Sequence, residues 1–419
     1  MIQKPRGTQD LFLNEINEII ELETILKTIA KNYNFQEIRT PIFEAKELFV
    51  RSVGTTSDVV SKEMYEFVDK KNRQFVLRPE GTAPVVRALI ENKLYAPEFI
   101  PFKTFYIGPM FRYERPQVGR NRQFNQFGVE VFGPNNIEQD LELINFAYAI
   151  TKKIGIEKNI QIDLNFLVTG IRREKYISDL KKYLETFKNL CNDCTQRLSL
   201  NPLRVLDCKI DGIKFLDAPN MQKYLNSEDE LYFSKIVQKL KESEINVKIS
   251  SKLVRGLDYY TGLIFEVKYN SEILGSQDTI IAGGRYNNLV SELGGPNMPA
   301  AGFALGIERI LIILKNLKKD LKTNKGLDLY TIALSEKGME LNYKVLRTLR
   351  EQNVIVDTDL MNRSFKSAFK QAEKLDAKWI IIFGDEEFTT QKVTLKNQKN
   401  GEQIMVDVKD IFEIIQKNK

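Results

Sequence analysis

The chain has 419 residues, no histidine, three cysteines and a net charge of +6 from 62 basic against 56 acidic side chains. Without imidazole there can be no Ser-His-Asp or Cys-His nucleophile pair, no His-Glu-x-x-His zinc helix and no His-ligated haem. Proton transfer near pH 7 must then use carboxylates, Lys, Tyr, Cys, the substrate or water.

An odd number of cysteines cannot close a disulfide framework and suits a reducing compartment. The mild basic excess permits a polyanionic partner without requiring one. With 42% hydrophobic and 28% charged residues, the composition fits a globular protein of two to three domains. The longest apolar runs, Trp379 to Phe383 and Ile310 to Leu314, fall far short of the roughly 20 residues that cross a bilayer. The opening Met-Ile-Gln-Lys-Pro-Arg-Gly-Thr lacks an apolar signal core, so a cytoplasmic chain with no membrane contact is expected.

Apolar residues at helical spacing (Ile16, Ile19, Ile20, Leu22, Ile25, Leu26, Ile29) predict a helix from Leu11 to Lys31. A short strand follows to Pro41, then a helical start before Val50. Strand-like runs occupy Met64 to Val68, Gln74 to Leu77, Lys103 to Ile107 and Phe127 to Phe132, with a helix beginning near Pro84. Strands with few crossover helices argue for an antiparallel α+β sheet. Residues from about 170 to 232 turn Lys/Glu/Leu-rich and read as an inserted helical module. Strand signals return at Lys248 to Val254, Leu263 to Tyr269 and Asp278 to Ala282, followed by a helix from Gly306 to Leu314.

A polar stretch, Lys315 to Lys325, reads as a linker, so the expected domains are 1–322 and 326–419. The tail alternates strand Leu329 to Leu334, helix Leu341 to Leu349, strand Val354 to Val356, helix Ser364 to Leu375 and strand Trp379 to Phe383. That alternation predicts a small, largely parallel α/β domain. Its 15 basic and 15 acidic residues cancel, so bulk charge gives no argument for nucleic-acid binding there.

Neither common nucleotide loop, Gly-x-Gly-x-x-Gly nor Gly-x-x-x-x-Gly-Lys-Ser/Thr, is present. The main constellation is Phe111-Arg-Tyr-Glu-Arg-Pro-Gln-Val-Gly-Arg-Asn-Arg-Gln-Phe124, which carries Arg112, Arg115, Arg120 and Arg122 within eleven residues. Four guanidiniums on one hairpin repel unless an anion gathers them, and their planar forks match phosphate oxygens. A solvated basic hairpin is the competing reading. A second Arg-Glu pair lies in Gly302-Phe-Ala-Leu-Gly-Ile-Glu-Arg309. A third, Leu77-Arg-Pro-Glu-Gly-Thr82, sets Glu80 and Thr82 at a strand-to-helix turn, where a simple helix cap looks the same.

Arg112-Tyr-Glu114 with its Arg-rich loop, and Gly302 to Arg309, resemble motifs 2 and 3 of the class II aminoacyl-tRNA synthetases. Pro41 after its strand is similar to motif 1, which implies a homodimer. Leu253-Val-Arg-Gly-Leu-Asp-Tyr-Tyr-Thr261 and Ala282-Gly-Gly-Arg-Tyr286 resemble the histidine-specific motifs of the histidyl-tRNA synthetases. Lys4-Pro-Arg-Gly-Thr-Gln-Asp10 and Asn201-Pro-Leu-Arg-Val-Leu-Asp207 fit the same family.

The resemblance implies an antiparallel-sheet catalytic domain with a helical insertion and a C-terminal α/β anticodon-binding domain. It implies ATP with Mg2+, L-histidine and tRNA-His as partners. Arg112 and Arg255 are the expected catalytic cations. Arg112, Glu114, Arg120, Phe124 and Arg309 are expected to bind ATP, with Phe124 stacked on adenine. Glu80, Thr82 and Gln126 are expected at the α-amino end of histidine, and Glu130, Tyr260 and Tyr286 around its imidazole. Arg115, Gln117 and Arg122 are expected at the tRNA acceptor end.

From the residues alone, Glu130 could equally be an outward strand position beside inward Val129 and Val131, and the tyrosines ordinary half-buried aromatics. Relatives often carry His where this chain has Tyr113 and Asn125, positions with no chemical step. Cys191-Asn-Asp-Cys194 with Cys208 resembles part of a zinc site, but a fourth ligand would have to be Asp or Glu. Free thiols are therefore the preferred reading, and no metal ligand is assigned. A catalytically silent relative, regulatory or tRNA-sensing, is the alternative. The intact Arg112, Arg255 and Arg309 and the tail from Gly326 favour the enzyme.

Overall fold

The computed structural model describes residues 1–54, 57–208, 210–275, 278–319, 321 and 326–417. Two compact units make up the chain, Met1–Leu321 and Lys322–Lys419. The stretch read as a linker lies partly outside the described residues, at 320 and 322–325.

The first half of the larger unit runs α1 (Asn14–Asn32), β1 (Gln36–Glu37), β2 (Phe43–Ala45), α2 (Lys46–Val53), β3 (Tyr65–Val68), β4 (Gln74–Leu77), α3 (Thr82–Glu91), β5 (Phe102–Phe111) and β6 (Gln123–Phe132). It continues through α4 (Ile137–Lys153), β7 (Ile160–Leu167), α5 (Gly170–Leu184), α6 (Asn192–Leu200), α7 (Ser227–Glu242) and β8 (Val247–Ile249). The site-forming end adds β9 (Thr261–Tyr269), β10 (Thr279–Arg285), α8 (Leu289–Glu292), β11 (Ala300–Gly306) and α9 (Ile307–Asn316).

Eight strands form one sheet in the order β1-β5-β6-β11-β10-β9-β7-β8. Its six inner strands are antiparallel throughout. The edge strands β1 and β8 each pair parallel, which the expectation of an antiparallel sheet did not include. Strands β2, β4 and β3 make a separate antiparallel sheet.

Side-chain alternation explains where the core lies. Phe127, Val129 and Val131 of β6, Leu263, Phe265 and Val267 of β9, and Ala301, Phe303 and Leu305 of β11 join one core with Leu22 and Leu26 of α1, Phe146 of α4, Ile236 of α7 and Ile310 of α9. Each fully buried side chain of this size contributes about 1.5–3 kcal/mol relative to exposure. The intervening residues, Gln126, Gly128 and Glu130 on β6 and Gly302 on β11, therefore face the opposite side. That side packs against a second core from α2, α3 and the insertion, through Phe49, Val85, Tyr176 and Leu203.

Three sequence readings need correction. The boundary read near 232 falls inside α7, Ser227–Glu242, which carries Ile236 and Leu240 into the main core. The strand predicted from Lys248 to Val254 stops at Ile249, after which the chain leaves the sheet toward the pocket. The strand leading to Pro41 is only Gln36–Glu37, with a second strand beginning beyond Pro41 at Phe43.

The smaller unit carries β12 (Leu329–Ala333), α10 (Glu336–Glu351), β13 (Val356–Thr358), α11 (Phe365–Lys374), β14 (Trp379–Phe383), α12 (Asp385–Thr390), β15 (Lys392–Asn397), β16 (Gln403–Asp407) and α13 (Ile411–Lys417). Its sheet order is β13-β12-β14-β15-β16. The first three strands are parallel, and the last two add an antiparallel hairpin that the sequence reading left out. Both units together give the α+β class.

Candidate active site

The polar face of the large sheet opens into a pocket lined by Glu80, Thr82, Arg112, Glu114, Arg120, Phe124, Gln126, Glu130, Arg255, Tyr260, Tyr286 and Arg309, among others. These residues come from the β4–α3 turn, the β5–β6 hairpin, the loop before β9, the end of β10 and the first turn of α9. The antiparallel register explains the convergence. Gly302 sits opposite Glu130, and Gly284 opposite Gly302, so three distant segments meet across one row.

At one end lies a buried carboxylate. Glu130 is 1% exposed; its Oε1 accepts from Thr82 Oγ1 at 2.7 Å and lies 3.5 Å from Tyr106 Oη, while Oε2 accepts from Tyr286 Oη. Burial pushes its pKa up to about 8, only partly opposed by those hydrogen bonds. Burial also drives the Tyr286 phenol well above its ordinary value. The outward-strand reading of Glu130 is thus wrong in its consequence: Val129 and Val131 do enter the core, but the face opposite them is covered. Glycine is required close by, since a Cβ on Gly302 would stand 2.0 Å from Glu130 Oε2. Tyr106 fits against the sheet only because Gly128 lacks a side chain; a Cβ there would fall 2.2 Å from the ring.

Glu80 does act as a cap. Its two oxygens accept from the backbone N–H of Thr82 at 2.6 Å and of Ala83 at 2.8 Å, at the start of α3. Thr82 thereby links the cap to Glu130. Beside them, Gln126 Oε1 is buried without a hydrogen-bond partner among the described residues.

The other end is cationic. Arg112 donates through Nε to Pro79 O at 2.9 Å, and its guanidinium lies 5.3 Å over the Phe124 ring. Glu114 lies between Arg120, with which it ion-pairs, and Arg112 at 3.9 Å. Arg309 donates to Gly119 O at 3.0 Å and Thr279 O at 2.6 Å. Burial, then the charges of Arg120 and Arg112, lower its pKa to about 10. Between the two ends Arg255 pairs with Glu266 and lies 5.5 Å over the Tyr260 ring, its Nε without a hydrogen-bond partner among the described residues.

The expected acceptor-end residues stand apart from the pocket lining. Arg115 and Gln117 are exposed on the hairpin loop. Arg122 turns back, its guanidinium 4.1 Å over Tyr113 and its backbone N–H donating to Gly7 O at 2.9 Å. The Lys4–Asp10 motif therefore braces the hairpin. Asn125 donates from both its backbone N–H and Nδ2 to Glu308 Oε1, at 2.8 and 3.0 Å. Sequence reasoning missed Tyr106 and Glu266. The first belonged to a run read only as strand, and the second sits on β9 next to apolar neighbours, where an acid inside a buried strand was the available signal.

Among the described residues, no helix is long and apolar enough to cross a membrane. The family model described as Histidyl-tRNA synthetase matches residues 7–310, and that described as Anticodon binding domain matches 328–418. A histidine--tRNA ligase of Mycoplasma capricolum is 53% identical, over 96% of this chain and 97% of its own length. One from Bacillus subtilis is 43% identical, over 99% and 98%. The crystal structure of apo S. aureus histidyl-tRNA synthetase superposes with a TM-score of 0.85 at 35% identity, covering 99% of this chain and all of that one.

Proposed function

Because the chain belongs to the histidyl-tRNA synthetase family, we propose that the pocket on its large sheet is where histidine and ATP react. The activity is that of a histidine–tRNA ligase. A carboxylate oxygen of histidine attacks the α-phosphorus of ATP, pyrophosphate leaves, and a hydroxyl of the terminal ribose of tRNA-His then takes the acyl group as AMP leaves. The nucleophile of the first step is already an anion, so a chain without histidine needs no imidazole base. Positioning and charge neutralisation carry the rate.

One observation supports the division of roles: a buried carboxylate–phenol pair and a cluster of guanidiniums occupy opposite ends of one pocket, with Arg255 between them. In this reading Glu130 and Tyr286 engage the two imidazole nitrogens while Tyr260 packs alongside. Substrates lacking those nitrogens would leave Glu130 buried and unpaired, which penalises them. Gln126 Oε1, with Glu80 and Thr82, accepts the α-ammonium group. Arg255 and Arg112 neutralise the charge building at the α-phosphate, and Arg120 and Arg309 hold the outer phosphates. Phe124 stacks on adenine with its face away from Arg112, and Glu114 reads the exocyclic amine. Arg115, Gln117 and Arg122, outside the pocket at the hairpin, are assigned to the acceptor end.

The carboxylates lining the pocket already have partners. Glu80 caps α3, Glu130 meets Thr82 and Tyr286, Glu266 meets Arg255 and Thr279, Glu308 meets Asn125, and Glu114 meets Arg120. These side chains do not fit a dedicated Mg2+ cage, so Mg2+ would enter with the phosphate oxygens of ATP. The smaller unit is assigned to the anticodon, and the reaction to the cytoplasm, in keeping with three unbridged cysteines.

The test is histidine-dependent ATP–pyrophosphate exchange. Arg255→Ala should lower it by about 10²–10³-fold or more, the scale for losing one transition-state donor, with circular dichroism melting near wild type. An exchange rate close to wild type in a folded variant would overturn the assignment of Arg255.

A further inference from the structure

Three side chains that sequence reasoning left as free thiols converge with a fourth. Cys191 caps the N-terminus of α6, Cys194 lies in its first turn, Cys208 follows the Pro202–Val205 turn, and Asp211 opens the next turn. One ligand atom from each of the four lies within 4.8 Å of the others. Cys191 Sγ and Cys208 Sγ are 3.7 Å apart. A disulfide needs about 2.05 Å, whereas two sulfurs on a tetrahedral ion at about 2.3 Å each stand roughly 3.8 Å apart.

Backbone N–H groups address two of the three sulfurs. The backbone N–H of Cys194 points at Cys191 Sγ at 3.5 Å, and that of Asp211 at Cys208 Sγ at 3.4 Å. Asp211 is 1% exposed, its Oδ2 oriented by the Cys191 N–H at 2.7 Å and its Oδ1 by Lys214 Nζ at 2.6 Å. Cys194 and Cys208 are buried as well. The fourth donor that the histidine-free sequence had to find among Asp or Glu is in place.

We propose that Cys191, Cys194, Cys208 and Asp211 form a closed structural site for a zinc-type divalent ion. Binding deprotonates three thiols and releases three protons, leaving a dianionic centre that Lys214 partly offsets. The ion knits the start of α6 to the turn after Val205. The segment between these two points, α6 and the Pro202–Val205 turn, carries contacts that fix the pocket's flank. Arg197 and Arg204 both hold Asp58, at 2.7 and 2.9 Å, and Asn201 donates to Asp258 at 2.7 Å. Asp258 belongs to the same loop as Arg255 and Tyr260, so the site acts on the histidine end of the pocket through position alone.

The experiment loads the reduced full chain with Zn2+, or with Co2+ as a spectroscopic probe, and measures bound metal, thiol reactivity and melting. The expected result is about one ion per chain, a Co2+ spectrum with thiolate charge transfer and tetrahedral d–d bands, and three thiols that react only after chelation. Asp211→Asn should weaken binding about tenfold or more, and Asp211→Cys should retain the ion with a more sulfur-rich spectrum. Three freely reactive thiols at saturating Zn2+ would overturn the proposal. So would a Co2+ spectrum without thiolate bands, a Cys191–Cys208 disulfide in place of metal, or undiminished binding in Cys208→Ser. The wild-type spectrum decides even where a variant fails to fold.

Discussion

Glu130 shows what a single residue asks of the fold around it. Its carboxyl titrates near 8 in the folded chain, chiefly through burial, against about 4.3 in an unfolded one. A raised acid pKa means that folding favours the protonated form. Its contribution is fully present below about pH 4.3 and is lost as pH rises toward 8. Over that window the loss is at most about 1.4 kcal/mol per pH unit. Glu130→Gln keeps the shape and removes the proton equilibrium. The variant's melting temperature should therefore fall less than the wild type's between pH 5 and pH 8, followed by calorimetry. Identical pH slopes in the two proteins would refute a raised Glu130 pKa. The alternation Val129-Glu130-Val131 made the facing of this residue legible in the sequence. Its burial was not legible, because the cover comes from Thr82, Tyr106 and Tyr286, far away along the chain.

Elements that carry long motifs were readable, and elements that only support them were not. The hairpin β5–β6 and the β11–α9 turn announce themselves through clustered arginines and glycines. By contrast α4 and β7 have ordinary composition, yet α4 is where Arg285 anchors. That guanidinium, in the Ala282–Tyr286 motif, is 3% exposed and pairs with Asp140 of α4 at 2.7 Å. It also donates to Asn136 O at 2.8 Å and to Tyr232 Oη of α7 at 3.2 Å. Arg285 is thus a positioning residue that ties β10 to two helices, while its neighbour Tyr286 faces the pocket. Removing one partner of such a pair strands the other charge in the interior. Arg285→Ala should cost about 3–5 kcal/mol, read as a lowered denaturation midpoint at unchanged slope. A loss under about 1 kcal/mol would show the pair to be solvent-screened. In the smaller unit the β12–α10–β13–α11–β14 alternation was visible for the same periodic reason. The closing hairpin β15–β16 was overlooked although Val393 and Leu395 alternate with polar neighbours and are buried; the run is short and lies beyond the helix–strand alternation that drew the reading.

At the scale of the whole molecule, one surface is hard to explain for a solitary chain. The small β2–β4–β3 sheet presents Phe43 and Phe67, 52% and 41% exposed, with Ile42 and Val68 beside them. Phe43 meets Phe67 and Phe75 edge-on, so the exposed apolar residues form a patch and are not scattered. A contiguous patch of this kind marks an interface, and the motif 1 resemblance at Pro41 makes a second copy the partner we assign to it. The same sheet runs directly into the candidate active site. Arg78, next to the end of β4, is buried and donates to Thr40 O and Pro109 O, both at 2.9 Å. One residue further on, Pro79 O accepts from Arg112. Separating the copies should therefore disturb the arginine-bearing β5–β6 hairpin as well as the association. We expect wild type to sediment as a dimer and the Phe43→Glu/Phe67→Glu double variant as a monomer. Its pyrophosphate exchange should be lowered by about tenfold or more, the scale at which a misplaced supporting group is felt. A wild-type monomer would remove the dimer assignment. A dimeric double variant would move the interface elsewhere, and a fully active monomer would cut the link from the small sheet to Arg112.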